Sequence, residues 1–289
     1  MAVHMLALAA CLASARPVIT SGKNPVVKAL RRLESRRHRE RDGLLLLEGL
    51  RLVTDALDAG FCAETVLVAE ALLAQQPGLQ RVLAALPAGV VSLADEAALA
   101  AACTTVSPQG IVAAVRMPER TGALPDAASL VLVLDNLSDP GNVGTLVRGA
   151  AGFGCDAVVA LGACADAWSP KALRSAMGGT FRLPIVPAQE WAQLRAQLQR
   201  AGLRVLAADG GVAASDYAAV DWRAPLAVVI GSEATGLSEA VRADLAAGSV
   251  CAVGIPMAAG LDSLNAAMAG TVLLSECARQ RRGNTARSG

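Results

Sequence analysis

The sequence has almost no histidine: His4 and His38 are the only two in 289 residues, and neither lies near a motif. A His general base or a Ser-His-Asp triad is therefore not expected. Metal-binding and disulfide patterns are missing too. The seven cysteines, Cys11, Cys62, Cys103, Cys155, Cys164, Cys251 and Cys277, are an odd number with no C-x-x-C spacing. This predicts neither a disulfide framework nor a zinc site, and points to a reducing, cytoplasmic setting. No apolar run reaches the length of a membrane span. The opening MAVHMLALAACLASA ends in small residues like a signal peptide but lacks a basic start, so it is read as a frayed tail or an over-early start codon.

Charge is also scarce and unevenly placed. The formal net charge is +1, yet Arg16 to Arg41 holds nine Lys or Arg against Glu34 and Glu40, an excess of seven that leaves the rest at about −6. Within this segment Val26, Val27, Leu30 and Leu33 form an apolar stripe. Lys28, Arg31, Arg32, Arg36, Arg37, Arg39 and Arg41 crowd the other faces. The pattern predicts one amphipathic helix with a cationic surface. Because acidic partners are few, Arg31, Arg32, Arg36 and Arg37 are candidates to hold a polyanion through its phosphates, the alternative being a merely solvated face.

What the chain has in quantity is apolar residues, 54% of the total, enough to bury two cores. Strands are predicted at residues 44–47, 65–68, 90–91 and 111–115, alternating with helices at 49–59, 71–86 and 96–103. These make a small α/β domain over residues 17–117. Residues 118–127, with two prolines, a glycine and charges, read as a linker. From 128 to 281 the alternation continues, with strands at 130–134, 157–161, 204–207, 226–230 and 250–253. Helices are predicted near 143–151, 170–177, 189–201 and 238–245, and a long one from about Ser263 to Gln280. A mostly parallel, doubly covered sheet follows, and ligands of such sheets sit beyond the C-terminal strand ends. The loops after Leu134, Ile230 and Val253 should therefore converge on one site.

Each of those loops has unusual chemistry. Asp135 to Gly144 reads as turn, after which a helix of small and apolar residues carries a single charge, Arg148, a turn and a half beyond Asn142, so that both can face one cleft. GSEATGLS places Glu233 between Gly231 and Gly236, glycines that permit close backbone approach. GIPMAAGLDSLN runs from an apolar loop into a helix opened by Asp262, Ser263 and Asn265. An apolar, backbone-lined pocket is implied. Gly152 to Ala157 also fits the dinucleotide pattern G-x-G-x-x-A, but it follows a helix and opens a strand, the reverse of the required context.

N-x-G-x-x-x-R at Asn142, Gly144 and Arg148, G-S-E-x-x-G-L-S from Gly231, and I-P-M followed by S-L-N at Ser263 to Asn265 together resemble the three motifs of the SpoU (TrmH-type) RNA 2′-O-ribose methyltransferases of the SPOUT superfamily. Residues from Val18 through the QGIVAAV segment resemble that family's ribosomal-protein-like substrate-binding domain. Ala234 and Ala266 stand where the family commonly has glycine and valine. The resemblance implies a deep trefoil knot, a homodimer, and S-adenosylmethionine bound in the knot by Gly231, Ile255, Met257 and Leu264. It implies active-site roles for Asn142, Glu233, Ser263 and Asn265, and makes Arg148 the residue that activates the attacking 2′-hydroxyl. A guanidinium keeps its charge at any ordinary pH, which favours alkoxide stabilisation over literal base catalysis. The implied substrate is RNA, with large-subunit rRNA first and tRNA second; a non-catalytic RNA-binding protein of the same fold is the alternative.

Overall fold

The computed structural model describes residues 17–73, 75–87, 89–119, 122–211, 214–258 and 263–285. Cys11, His4, Gly260, Asp262 and the opening fifteen residues lie outside them. The chain divides into two compact units, one of Met1–Glu119 with Trp168–Arg174, the other of Arg120–Ala167 with Ser175–Gly289.

In the first unit the basic segment forms two helices, α1 (Pro25–Arg32) and α2 (Arg36–Asp42), not the single helix expected. Asn24 caps α1 by accepting from Val26 N at 2.8 Å, and Pro25 suits its first turn. The break at Leu33 to Ser35 has a use for Arg39, which the sequence pattern assigned to the cationic surface. Its side chain is 2% exposed and donates to the carbonyls of Leu33 (2.8 Å) and Glu34 (2.5 Å), the orphan acceptors where α1 ends. The other arginines are better partnered than expected. Arg31 pairs with Glu34 at 3.3 Å and also donates to Cys103 O, Arg32 pairs with Asp42 at 2.9 Å, and Arg36 with Glu40 at 2.8 Å.

Strands β1 (Leu44–Glu48), β2 (Ala63–Ala69), β3 (Val91–Ala94) and β4 (Ile111–Arg116) form a sheet in the order β1-β4-β2-β3, with only β2 and β3 parallel. Between them lie α3 (Leu50–Asp58), α4 (Pro77–Ala84) and α5 (Glu96–Ala102), and the helix expected over 71–86 divides into a 3-10 turn at Glu70–Leu72 followed by α4. At the end of β1, Glu48 is buried and accepts from both the amide and the hydroxyl of Thr104 and of Thr105, at 2.5 to 3.1 Å. Arg174 lies 3.6 Å away. Burial works to raise the carboxyl's pKa, but the four donors outweigh it and hold it below the usual carboxylate value.

The second unit is a seven-stranded, all-parallel sheet. Its strands are β5 (Leu130–Asp135), β6 (Ala157–Leu161), β7 (Ile185–Ala188), β8 (Arg204–Ala208), β9 (Ser215–Asp216), β10 (Leu226–Gly231) and β11 (Cys251–Gly254), in the order β7-β6-β5-β10-β8-β11-β9. The two edge strands, β7 and β9, were not anticipated. Pro187 reads as a break in sequence, yet an edge strand tolerates proline, and two residues of β9 carry no period. Alternate residues of β5 supply two cores: Leu130, Leu132 and Leu134 on one face, Val131 and Val133 on the other. Burying each such side chain contributes roughly 1.5–3 kcal/mol.

The first face is covered by α6 (Pro140–Phe153) and α10 (Ala266–Thr285), the second by α8 (Trp191–Arg200) and α9 (Glu239–Ala246), with α7 (Pro170–Ala176) following β6. Helix α6 starts earlier than expected, because Asp139 accepts from Asn142 N at 3.0 Å and Pro140 fills the first position. It stops at Gly154, whose φ of 80° suits glycine. After β11, outside β8, the chain returns to the β5 side, where α10 packs on α6 and β10. A knotted path requires such a return. Gly270 makes the contact close, since a Cβ there would lie 2.3 Å from Leu146 Cδ2. Near the far end of α10, Arg281 donates to the carbonyls of Ser129, Trp222 and Ala224 at 2.9 to 3.0 Å.

Two outcomes follow from this packing. Glu48→Gln should destabilise the protein at neutral pH by about 1–3 kcal/mol, because an amide cannot accept all four donors. A depressed carboxylate pKa contributes stability above the unfolded pKa that is lost as pH falls through the folded one, so urea titrations should show the wild-type advantage shrinking in acid. Among the described cysteines, Cys62 and Cys251 are exposed. Burial pushes the Cys103 and Cys155 thiols up to about 12 and that of Cys164 up to about 11. Mass spectrometry after alkylation of the native protein should find those three, and Cys277, protected while Cys62 and Cys251 react.

Candidate active site

The site is assembled from the N-terminus of α10. Asn265 caps that helix with Oδ1, which accepts from Ala267 N at 2.9 Å and Met268 N at 3.3 Å. With its oxygen so used, the side chain must turn its amide nitrogen outward, and Nδ2 donates to Asn142 Oδ1 at 3.3 Å. Asn142 in turn has only its own Nδ2 left, which donates to Glu233 Oε1. The direction of every bond is thus set by the helix cap, and Glu233 stands at the end of the chain as the acceptor. Residues 142, 233 and 265 stand in the first turn of α6, in the loop after β10 and at the cap of α10, all at the C-terminal edge of the sheet, where convergence was expected.

The loop that carries Glu233 is held tightly. Ser232 N donates to Gly236 O at 2.9 Å and Gly236 N to Ser232 O at 2.8 Å. Gly231 faces the returning limb so closely that a Cβ would lie 2.5 Å from Gly236 C, a backbone atom that cannot give way. Gly236 itself has φ of 68°.

Beside this trio lies a cleft of about 150 Å³ lined by Ile255, Met257, Ser263 and Leu264 of the last loop, by Val253 and Gly254 of β11, by Ala269 and Leu273 of α10, and by Ala208 at the end of β8 with Asp209 and Gly210 after it. Ser263 faces the cleft and makes none of the trio's hydrogen bonds. Gly231 is not among the lining residues. Asp209 and Gly210 were missed from sequence, although the rule that places ligands at parallel strand ends applies to the end of β8 as to the others. Apolar walls, strand-end backbone and one exposed carboxylate fit an adenosine with a cationic or hydroxylated arm. Among the described residues no group of three or more His, Cys, Asp or Glu could hold a metal.

Arg148 stands apart. It is exposed and, among the described residues, its side chain has no hydrogen bond or ion pair. It lies six positions beyond Asn142, about 120° away around α6, so the two side chains leave different sides of the helix. Arg148 takes no part in the hydrogen bonds that join Asn142 to Glu233 and Asn265. Behind Arg148, Gly179 packs so tightly that its Cβ would lie 3.0 Å from the Arg148 Cα. Arg31, Arg32, Arg36 and Arg37 are all exposed on the first unit. No helix among the described residues is long and apolar enough to cross a membrane.

Comparison with known proteins bears on the fold and the family. The model of the SpoU rRNA Methylase family matches residues 129–275, and that of an MRM3-like substrate binding domain matches residues 24–113. An uncharacterized tRNA/rRNA methyltransferase of Synechocystis sp. is 36% identical over 91% of this chain and 94% of its own length. A 23S rRNA (guanosine(2553)-2′-O)-methyltransferase of Bacillus subtilis is 31% identical over 89% of this chain and 97% of its own. Among solved structures, the AdoMet-bound rRNA methyltransferase from Sinorhizobium meliloti has a TM-score of 0.77 and 29% identity, over 92% of this chain and 98% of that one. Two matched domains, their order, and the three converging loops lead to one conclusion: the chain belongs to the SpoU rRNA methylase family.

Proposed function

We propose that this protein transfers a methyl group from S-adenosylmethionine to a ribose 2′-hydroxyl of RNA, with large-subunit rRNA the first candidate and a cytoplasmic homodimer the working form. The observation that carries this reading is the Asn265–Asn142–Glu233 chain beside the apolar cleft, in a fold whose Bacillus subtilis relative is named for 2′-O-methylation of 23S rRNA. Bound in the cleft, S-adenosylmethionine supplies a methyl group on a sulfonium. Ile255, Met257 and Leu264 would hold its adenosine and Asp209 its polar arm, while Gly231, outside the lining, would serve by letting the Glu233 loop turn back closely.

Asn142, Glu233, Ser263 and Asn265 would hold the ribose with its 2′-hydroxyl toward the cleft, and such positioning would supply much of the catalysis. Arg148 stabilises the alkoxide as it forms and holds the neighbouring phosphate, the proton passing to water or phosphate. Its divergence from Asn142 on α6 supports a site shared between two protomers, Arg148 of one completing the trio of the other. Residues 17–117 serve as the RNA-holding domain and residues 118–127 as its link to the methyltransferase domain at 128–281. Its arginines are suited to phosphates even where paired, because exposed ion pairs are worth only about 0–1 kcal/mol and are readily exchanged.

Arg148→Ala should lower single-turnover methyl transfer about 10²–10³-fold, the usual cost of a lost oxyanion partner, with folding and calorimetric affinity for S-adenosylmethionine unchanged. Lysine should restore little, since a point charge cannot serve hydroxyl and phosphate together. Near-normal transfer by Arg148→Ala, or saturable binding of NAD in place of S-adenosylmethionine, overturns the reading. Changing Arg31, Arg32, Arg36 and Arg37 together to Ala should weaken RNA binding and flatten its dependence on salt, leaving cofactor affinity alone. Unchanged RNA affinity across a salt series returns that surface to a solvated face.

A further inference from the structure

Asp135, the last residue of β5, is 0% exposed, and no Lys, Arg or His among the described residues contacts it. Its Oδ2 accepts from Ser238 N at 2.7 Å and its Oδ1 from Asn136 Nδ2 at 2.8 Å. A buried carboxylate served by two neutral donors and no cation is an expensive way to make two hydrogen bonds, so its position asks for a reason beyond packing.

Its connections supply one. Gly231, where the Glu233 loop leaves β10, is the register partner of Asp135 in the parallel ladder, and Ser238, where the same loop ends, donates its amide to the Asp135 carboxylate. Both limbs of the loop therefore meet one residue of β5. From that residue the chain runs through Asn136, held with φ of 56° while its Oδ1 accepts from Ala163 N at 2.9 Å, to Asp139, which caps the helix that carries Asn142. Asp135 is thus the point at which the loop bearing Glu233 and the connection bearing Asn142 are joined behind their own contact. The cofactor cleft lies on other residues and includes neither Asp135 nor Ser238.

We infer that Asp135 is a positioning residue for methyl transfer: it sets the Glu233 loop against Asn142 and acts on the reaction through that pair, without touching substrate or cofactor. The carboxylate is required because both oxygens must accept. An asparagine would turn its amide group toward either Ser238 N or Asn136 Nδ2 and set donor against donor. This inference rests on the proposed methyltransferase reading.

The test is Asp135→Asn, alone and combined with Glu233→Gln. The single substitution should lower kcat at least tenfold while the dissociation constant for S-adenosylmethionine stays within twofold, and in the Glu233→Gln background it should cause no further loss. Ser238→Pro removes the same hydrogen bond from the other side, and the Ser238 φ of −63° already suits proline. It should reproduce the kcat defect. Full activity in Asp135→Asn, losses that multiply in the double variant, or a parallel loss of cofactor affinity overturns the inference. A readout that needs no turnover separates it from the parent reading. In NMR spectra, the Asn142 side-chain amide signals, assigned by their disappearance in Asn142→Asp, should move in Asp135→Asn toward their positions in Glu233→Gln. If the wild type transfers no methyl group the parent reading fails. If the amide signals stay at their wild-type positions in Asp135→Asn, the positioning role fails.

Discussion

The cap of the last helix is the interaction on which the site depends. An asparagine at an N-cap is ordinarily a local stabiliser, contributing on the order of 1 kcal/mol. Here the cap has a directional consequence, because committing Asn265 Oδ1 to Ala267 N and Met268 N leaves only its Nδ2 to face Asn142. The same logic passes to Asn142 and ends on Glu233. Three loops that are distant in sequence are ordered by one helix terminus, and the terminus is where it is because α10 packs back over α6 and β10.

That packing explains the peculiar composition of α6. Small residues in a buried helix usually weaken it, since glycine costs about 1 kcal/mol relative to alanine in a helix interior. Close approach repays the cost: Gly149 lies against Thr271 and Leu274 of α10, and on the facing helix Gly270 leaves room for Leu146. The all-parallel sheet beneath then does what such sheets do, bringing the ends of β5, β8, β10 and β11 to one edge, where loops free of ladder hydrogen bonds can present side chains.

Much of this was legible in the residues. The five inner strands of the second unit were readable to within a residue or two because strands buried on both faces appear as continuous runs such as LVLVLD and LAVVIG. The three loops stood out because glycine, proline and polar residues clustered directly after those runs. What was not legible depended on partners distant in sequence. Arg39 looked like surface charge, and only the break after α1 shows why a guanidinium turns inward. The pairing of Arg32 with Asp42 joins two helices that the pattern had merged into one. Edge strands β7 and β9 are made by their neighbours rather than by their own sequences, and Asp209 has no local signature beyond its place after β8.

The phase of α6 is the remaining constraint, and it bears on how a site of this kind can be complete. Asn142 is held in the first turn by the Asp139 cap, so the rotation of the helix is set at its start. From there every residue's direction follows at about 100° per step, and Arg148 must emerge on another side whatever its chemistry. The backbone at Arg148 cannot rotate to compensate, because Gly179 sits against its Cα and Leu146 and Val147 are buried in the core. An exposed cation with no partner among the described residues, on an otherwise uncharged helix, is therefore better understood as directed at something outside its own chain than as a failed member of the trio.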